Sequence, residues 1–228
     1  MNQTSLHPAR RGRSANGSGS ESFVLPKWAI DAIRHVGRSL SRVLWRIRYS
    51  GLEHVPASGG FIIAANHQTY IDPFWIGFPI SRPIRFLAWN KIFDWPVLGK
   101  LTGMFGAWPL EIEGSDPAAI RRSLQWLRSG GGVVIFPEGG RGLPDGSMVR
   151  FKPGAVRMAL EAGVPILPVT IRGAHRVWPN TYRFPRFARV EIIYHPLFHV
   201  EPYEEGTETR AHARRASDRL TEIIGSAL

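Results

Sequence analysis

The chain has 228 residues, 43% of them hydrophobic and 21% charged, enough for one domain with a buried core and too apolar for wholesale disorder. It contains no cysteine, which excludes disulfides, thiolate nucleophiles and zinc–thiolate or iron–sulfur centres, and suits a reducing compartment. The net charge is +11 and unevenly placed: nine of the 29 Lys and Arg, but only two of the 18 Asp and Glu, lie in the first 50 residues.

Residues 1–22 are rich in Ser, Gly, Asn and Arg and offer nothing to bury, so they read as a disordered basic tail. Residues 23–49 read as an amphipathic helix. Ile30, Ile33, Val36, Leu40, Val43, Leu44 and Ile47 recur at helical spacing, beside Arg34, Arg38, Arg42 and Arg46 at every fourth position, with Trp28 and Trp45 near the ends. Such a helix either lies among anionic headgroups or packs on the body with a solvated basic face; basic charge together with Trp favours the membrane. No run approaches the roughly 20 apolar residues of a membrane span, and the N-terminus lacks the apolar core of an export signal. The expectation is a peripheral protein on the cytoplasmic face of a membrane.

From residue 50 to 228 the pattern alternates. Strands are expected at 61–65, 84–88, 107–110, 132–136, 166–171 and 189–194, and helices at 73–79, 95–101, 117–128, 153–161 and 207–224. Asp116 followed by Pro117 is a helix start, the first as cap and the second at the first helical position. Continuous apolar strands between helices predict an α/β layered domain with a largely parallel central sheet flanked by helices.

Two strand ends carry chemistry. The apolar run 61–65 passes directly into Asn66-His67-Gln68-Thr69-Tyr70-Ile71-Asp72, and open α/β sheets bind ligands beyond the carboxyl ends of their strands. On a regular helix His67 and Asp72 would stand roughly 140° apart, so they meet only if residues 67–71 form a turn. Once in contact, the carboxylate fixes the imidazole tautomer and the other ring nitrogen can take a proton from a hydroxyl. Otherwise the histidine closes a loop and the aspartate caps a helix. The second strand end is Phe136-Pro137-Glu138-Gly139-Gly140-Arg141-Gly142, where glycines let backbone N–H groups approach an anion and Arg141 offers a bidentate fork.

Together these blocks resemble the glycerolipid acyltransferases of the lysophosphatidate (1-acyl-sn-glycerol-3-phosphate) acyltransferase type. Asn66-His67 with Asp72 matches the first signature block, and Phe136-Pro137-Glu138-Gly139 with Arg141 the third. The lead-in Gly51-Leu52-Glu53-His54-Val55-Pro56, the segment Phe151-Lys152-Pro153-Gly154-Ala155 and the block Val164-Pro165-Ile166-Leu167-Pro168-Val169 agree in order. The resemblance covers roughly residues 50–200. It implies transfer of a fatty acyl group from acyl-CoA or acyl-carrier protein, as co-substrate, to a lysolipid hydroxyl, without metal or other cofactor. His67 would be the general base and Asp72 its partner. Asn66, Glu138, Gly139, Arg141 and Lys152 would bind substrate, and Pro165 would shape the acyl-donor region.

Two positions depart from the family. Ile112 stands where the second block usually carries an arginine, with Arg85, Arg121 and Arg122 as candidate substitutes, and Gly140 replaces a threonine. They leave room for another lipid-borne hydroxyl, such as a lyso-glycolipid or aminolipid, as acceptor. A non-catalytic lipid-binding protein is the alternative of another class. Nucleic acid is disfavoured because the excess charge sits in one helix and a tail. His175, His195 and His199 lack ligand-like spacing. The aromatic run Phe74, Trp75, Phe78, Phe86, Trp89, Phe93, Trp95 reads as core or acyl-tunnel lining, and the segment 172–189, with Arg176, Arg183 and Arg186, as a basic loop for headgroups or donor phosphates.

Overall fold

The computed structural model describes residues 26–96, 98–111, 116–179, 181–202 and 209–228. The tail 1–22 and Ile112 therefore lie outside the described residues.

Seven strands form one sheet in the order β1-β7-β6-β2-β5-β3-β4, where β1 is Arg48–Ser50, β2 Phe61–Ala65, β3 Ile84–Trp89, β4 Ala107–Leu110, β5 Gly132–Ile135, β6 Ile166–Arg172 and β7 Glu191–Tyr194. Every neighbouring pair is parallel except β6 and β7. The expected largely parallel sheet is thus present, with β1 and β7 reversed at one edge. β2 sits in the middle, in register with β5 (Ile62 opposite Val133) and β6 (Ile62 opposite Ile166), and every one of its residues is buried. That burial on both faces explains an apolar run with no polar alternation.

Among the described residues six α-helices flank the sheet: α1 Lys27–Trp45, α2 Asp72–Gly77, α3 Leu98–Met104, α4 Pro117–Arg128, α5 Gly154–Ala162 and α6 Thr209–Gly225. Alternate β2 side chains supply two cores. Phe61, Ile63 and Ala65 join Trp75 and Ile76 of α2 on one face. Ile62 and Ala64 join Leu124, Val156 and Leu220 of α4, α5 and α6 on the other. As the sequence predicts, Asp116 caps α4 by accepting from Ala119 N at 2.9 Å.

α1 packs on the body along one side only. It packs on α2, where Gly37 lies so close to the Phe78 ring that a Cβ would fall 2.5 Å from it, and Trp45 meets Trp75 edge-on at 5.2 Å. Its other side leaves Trp28, Val36, Leu40 and Val43 exposed. The helix stops at Trp45 because Arg46 turns left-handed (φ 46°) and swings the chain into β1. No described helix is long and apolar enough to cross a membrane.

Candidate active site

The turn between β2 and α2 is held from both sides. Asn66, fully buried, donates from Nδ2 to Ile171 O (2.9 Å) and accepts from Ile171 N at Oδ1 (2.7 Å), adding a side-chain rung to the β2–β6 ladder. His67 N donates to Glu138 Oε1 (2.7 Å), tying the turn to the segment after β5. Gly142 N in turn donates to His67 O (2.6 Å). Gln68 fixes two further loops, with Nε2 donating to Gly146 O and Oε1 accepting from His175 N, both at 2.8 Å.

Asp72 opens α2 with a fully buried carboxylate that collects four donors. Oδ2 accepts from Gln68 N (2.5 Å), Thr69 N (2.7 Å) and His67 Nδ1 (3.0 Å), and Oδ1 accepts from Thr69 Oγ1 (2.6 Å). These bonds close residues 67–71 into a tight turn and bring the two side chains together, which helical spacing alone forbids. An ionised carboxylate can only accept, so Nδ1 carries the hydrogen and the neutral ring keeps its lone pair on Nε2. The imidazole also stacks on Phe136 at 4.0 Å and 23°. It is pinned on one edge and one face, with 18% of its side chain exposed. A base in this arrangement can accept a proton from a hydroxyl and have its positive charge stabilised by a carboxylate that is already desolvated and bonded.

Arg141 lies across the turn from His67. Its Nη2 donates to the Tyr70 hydroxyl (2.9 Å), and its guanidinium carbon sits 3.9 Å from the Tyr70 ring centre. Tyr70 is itself packed by Trp178 (5.7 Å, edge-on) and Trp95 (6.2 Å). The remaining Arg141 N–H groups have no partner among the described residues, leaving a pre-oriented fork open to an anion. The Lys152 amine lies over Gly139, where a Cβ would stand 2.5 Å from Nζ and where φ is +73°. The left-handed backbone favours glycine there, while the flexible end of Lys152 could shift aside.

The structure thus brings His67, Asp72, Asn66, Glu138, Gly139, Arg141 and Lys152 to one sheet edge, in different capacities. Glu138 is buried and spends both oxygens on backbone, on His67 N and Val149 N (2.8 Å). Burial pushes its carboxyl above the usual range, and the Val149 and His67 N–H groups partly offset this. Asn66 and Glu138 therefore position the turn and expose no free group to a ligand. Pro165 lies apart from this group. Its carbonyl accepts from Ile62 N at the amino end of β2, so the length of β6 separates it from His67. Arg85 is likewise remote, near the start of β3. Ile112 lies outside the described residues. Of the aromatic run, Phe74, Phe78 and Phe86 line a cavity of about 130 Å³ under α1, Trp75 is core, and Trp89 and Trp95 are exposed.

Thr69, Tyr70 and Phe136 were not singled out from sequence. Thr69 carried a signal, a hydroxyl residue three before a helix-opening aspartate. The Tyr70 and Phe136 contacts join segments far apart in the chain, and no local pattern announces them.

A family model described as Acyltransferase matches residues 46–172. The chain is 31% identical over 189 residues to a 1-acyl-sn-glycerol-3-phosphate acyltransferase of Pseudomonas aeruginosa, covering 78% of this chain and 68% of that protein. It is 29% identical over 161 residues to the chloroplastic 1-acyl-sn-glycerol-3-phosphate acyltransferase LPAT1 of Arabidopsis thaliana, covering 68% of this chain but 44% of the plant protein. Against a chloroplastic relative from Brassica napus it spans 38% of that protein's length. The fold is similar to that of the crystal structure of the acyltransferase PlsC from Thermotoga maritima, with a TM-score of 0.66 at 23% identity, covering 88% of this chain and 78% of that one. With its signature residues drawn to one edge of such a sheet, the chain belongs to the acyltransferase family.

Proposed function

We propose that the chain is an O-acyltransferase that moves a fatty acyl group from a thioester, acyl-CoA or acyl-carrier protein, to the free hydroxyl of 1-acyl-sn-glycerol-3-phosphate, giving phosphatidate. The observation that carries this reading is the hydrogen bond from His67 Nδ1 to the buried Asp72 carboxylate, which leaves Nε2 free to act as base. The names of the Pseudomonas and Arabidopsis relatives support the acceptor, and the open fork of Arg141 with the Lys152 amine supplies cations for its phosphate.

In this mechanism the acceptor hydroxyl gives its proton to His67 Nε2 while its oxygen attacks the thioester carbonyl carbon. The tetrahedral intermediate collapses with cleavage of the C–S bond. The thiolate takes the proton from the imidazolium, leaving an ester, a free thiol and neutral His67. Asp72 offsets the transient charge on the ring, while Asn66 and Glu138 keep the turn in place.

A lipid acceptor calls for a membrane surface. We infer peripheral attachment, on the cytoplasmic side; α1 supports the attachment, since Trp28 and Val43 are 75% and 77% exposed on the face it turns away from the body, with exposed Arg42 on the same helix.

The test is a panel of acceptors presented to the purified chain with acyl-CoA and with acyl-carrier-protein thioesters. Lysophosphatidate is expected to be acylated fastest. The Ile112 departure favours a second reading, a lyso-glycolipid or aminolipid acceptor, and preference for such a lipid would replace the first. Acylation of no lysolipid in the panel would contradict both.

A further inference from the structure

Large apolar side chains are left exposed at or beyond the carboxyl ends of β3, β5 and β6, the edge that carries His67: Trp89, Trp95, Leu143, Val149, Phe184 and Phe187. The last two are the most exposed of these, at 70% and 81%. They stand in the run Arg183-Phe184-Pro185-Arg186-Phe187, which follows β6. The base of this loop is anchored. Arg186 N donates to Val177 O (2.8 Å), Trp178 Nε1 to Tyr182 O (3.1 Å), and Trp45 Nε1, from the last turn of α1, to Arg186 O (3.1 Å). The Arg186 guanidinium stacks 3.9 Å from the Tyr182 ring. Trp178 continues the framework into the site, where it meets Tyr70 beneath Arg141.

Two phenylalanines held in solvent on a braced loop lose apolar burial and gain nothing from the fold. Alternation with arginine is the chemistry of a lipid interface, where rings enter the headgroup–acyl boundary and guanidinium groups meet phosphates. An acidic protein would pair with the arginines but leave the phenylalanines without purpose. We propose that residues 181–189 insert into an anionic bilayer, Phe184 and Phe187 in the acyl boundary and Arg183 and Arg186 on lipid phosphates, so that the mouth of the His67 site opens onto the membrane. Arg189 is already paired with Glu191 (3.0 Å) and takes no part. The proposal rests on the reading of the chain as an enzyme with a lipid acceptor.

Because the chain has no cysteine, Phe187→Cys labelled with a polarity-sensitive dye reports this position alone. Ile120→Cys on α4, on the opposite face of the sheet, is the reference. On adding phosphatidylglycerol–phosphatidylcholine vesicles, emission at position 187 is expected to shift to the blue and rise, while that at 120 stays unchanged. The double variant Phe184→Ser with Phe187→Ser is expected to need at least about tenfold more lipid for half-maximal vesicle binding, with an unchanged melting temperature. A double variant that melts lower is replaced by Phe187→Ser alone. A silent dye at 187 on vesicle-bound protein, or unaltered lipid affinity of the variant, overturns the proposal. So does weakened binding of an acidic acyl-carrier protein with vesicle affinity intact. None of these readouts requires acyl transfer, so failure of the catalytic reading would appear separately, as absent acylation by the unaltered chain.

Discussion

Glu138 Oε1 accepts a hydrogen bond from the backbone N–H of His67 at 2.7 Å, so a carboxylate on the strand-5 turn holds the histidine on the strand-2 turn from behind. Its second oxygen holds Val149 N, so one carboxylate ties three segments together. Glu138→Gln keeps the shape but turns an amide NH2 toward one of these N–H groups. It is expected to cost about 1–3 kcal/mol of stability and to lower kcat more than it raises KM. Denaturant melts and steady-state kinetics check both.

Asp72→Asn should act on chemistry as well as on folding. The amide oxygen can replace Oδ2 for Gln68 N, Thr69 N and His67 Nδ1 with the NH2 turned to the Thr69 hydroxyl, but the negative charge that offsets the imidazolium is lost. The expected fall in kcat is about 10²–10⁴-fold, visible in single-turnover measurements with the variant still folded by circular dichroism.

The departure at Gly140 is expected to be reversible at little structural cost. A Cβ there meets open space and the residue is not among those with positive φ. Gly140→Thr should therefore melt within a few degrees of the unaltered chain, since a compatible Gly replacement changes stability by only about 0.4–1 kcal/mol. A tighter KM for lysophosphatidate would identify the added hydroxyl as an acceptor ligand. A large loss of stability would contradict the geometry.

Acid should weaken the fold through His195. Burial, with His54 nearby, lowers its pKa below the ordinary 6.5. The Thr170 hydroxyl donates to Ile224 O and so receives the ring's Nε2–H at 2.8 Å. Between 6.5 and the lower folded value the unfolded chain binds more protons, so this contribution is present above 6.5 and lost as pH falls through the folded pKa. His195→Gln keeps a donor to Thr170 without the titration. The prediction is that the unaltered chain loses more melting temperature than this variant as pH drops below 6.5, checked by parallel thermal scans.

Much of this architecture was legible because local signals and tertiary context agreed. β2, β4 and α4 occupy the predicted residues; a buried apolar run fixes β2 and an Asp-Pro start fixes α4, while in β4 only Ala107 is buried. β1 was hidden inside the predicted helix because the break falls on Arg46, a left-handed residue that no glycine marks. α3 begins at Leu98 because residues 90–94 form a 3-10 turn first. At the site, the strand-end position pointed to His67 and Asp72, while the closing of the turn depends on backbone N–H groups, which sequence does not display. The backbone partners of Glu138 are not legible, because a carboxylate beside glycines looks the same from sequence whether it faces substrate or backbone. That Pro165 lies at the amino end of its strand, away from His67, is likewise not legible, because a block's membership in a family says nothing about which end of its strand it occupies.

The central claim is that His67 is the proton acceptor in acyl transfer. It is tested most directly by the turnover of purified His67→Ala with lysophosphatidate and acyl-CoA in vesicles, alongside the unaltered chain at equal fold content. The account predicts a loss of at least about 10²–10⁴-fold in kcat. Turnover within a few-fold of the unaltered chain would contradict it.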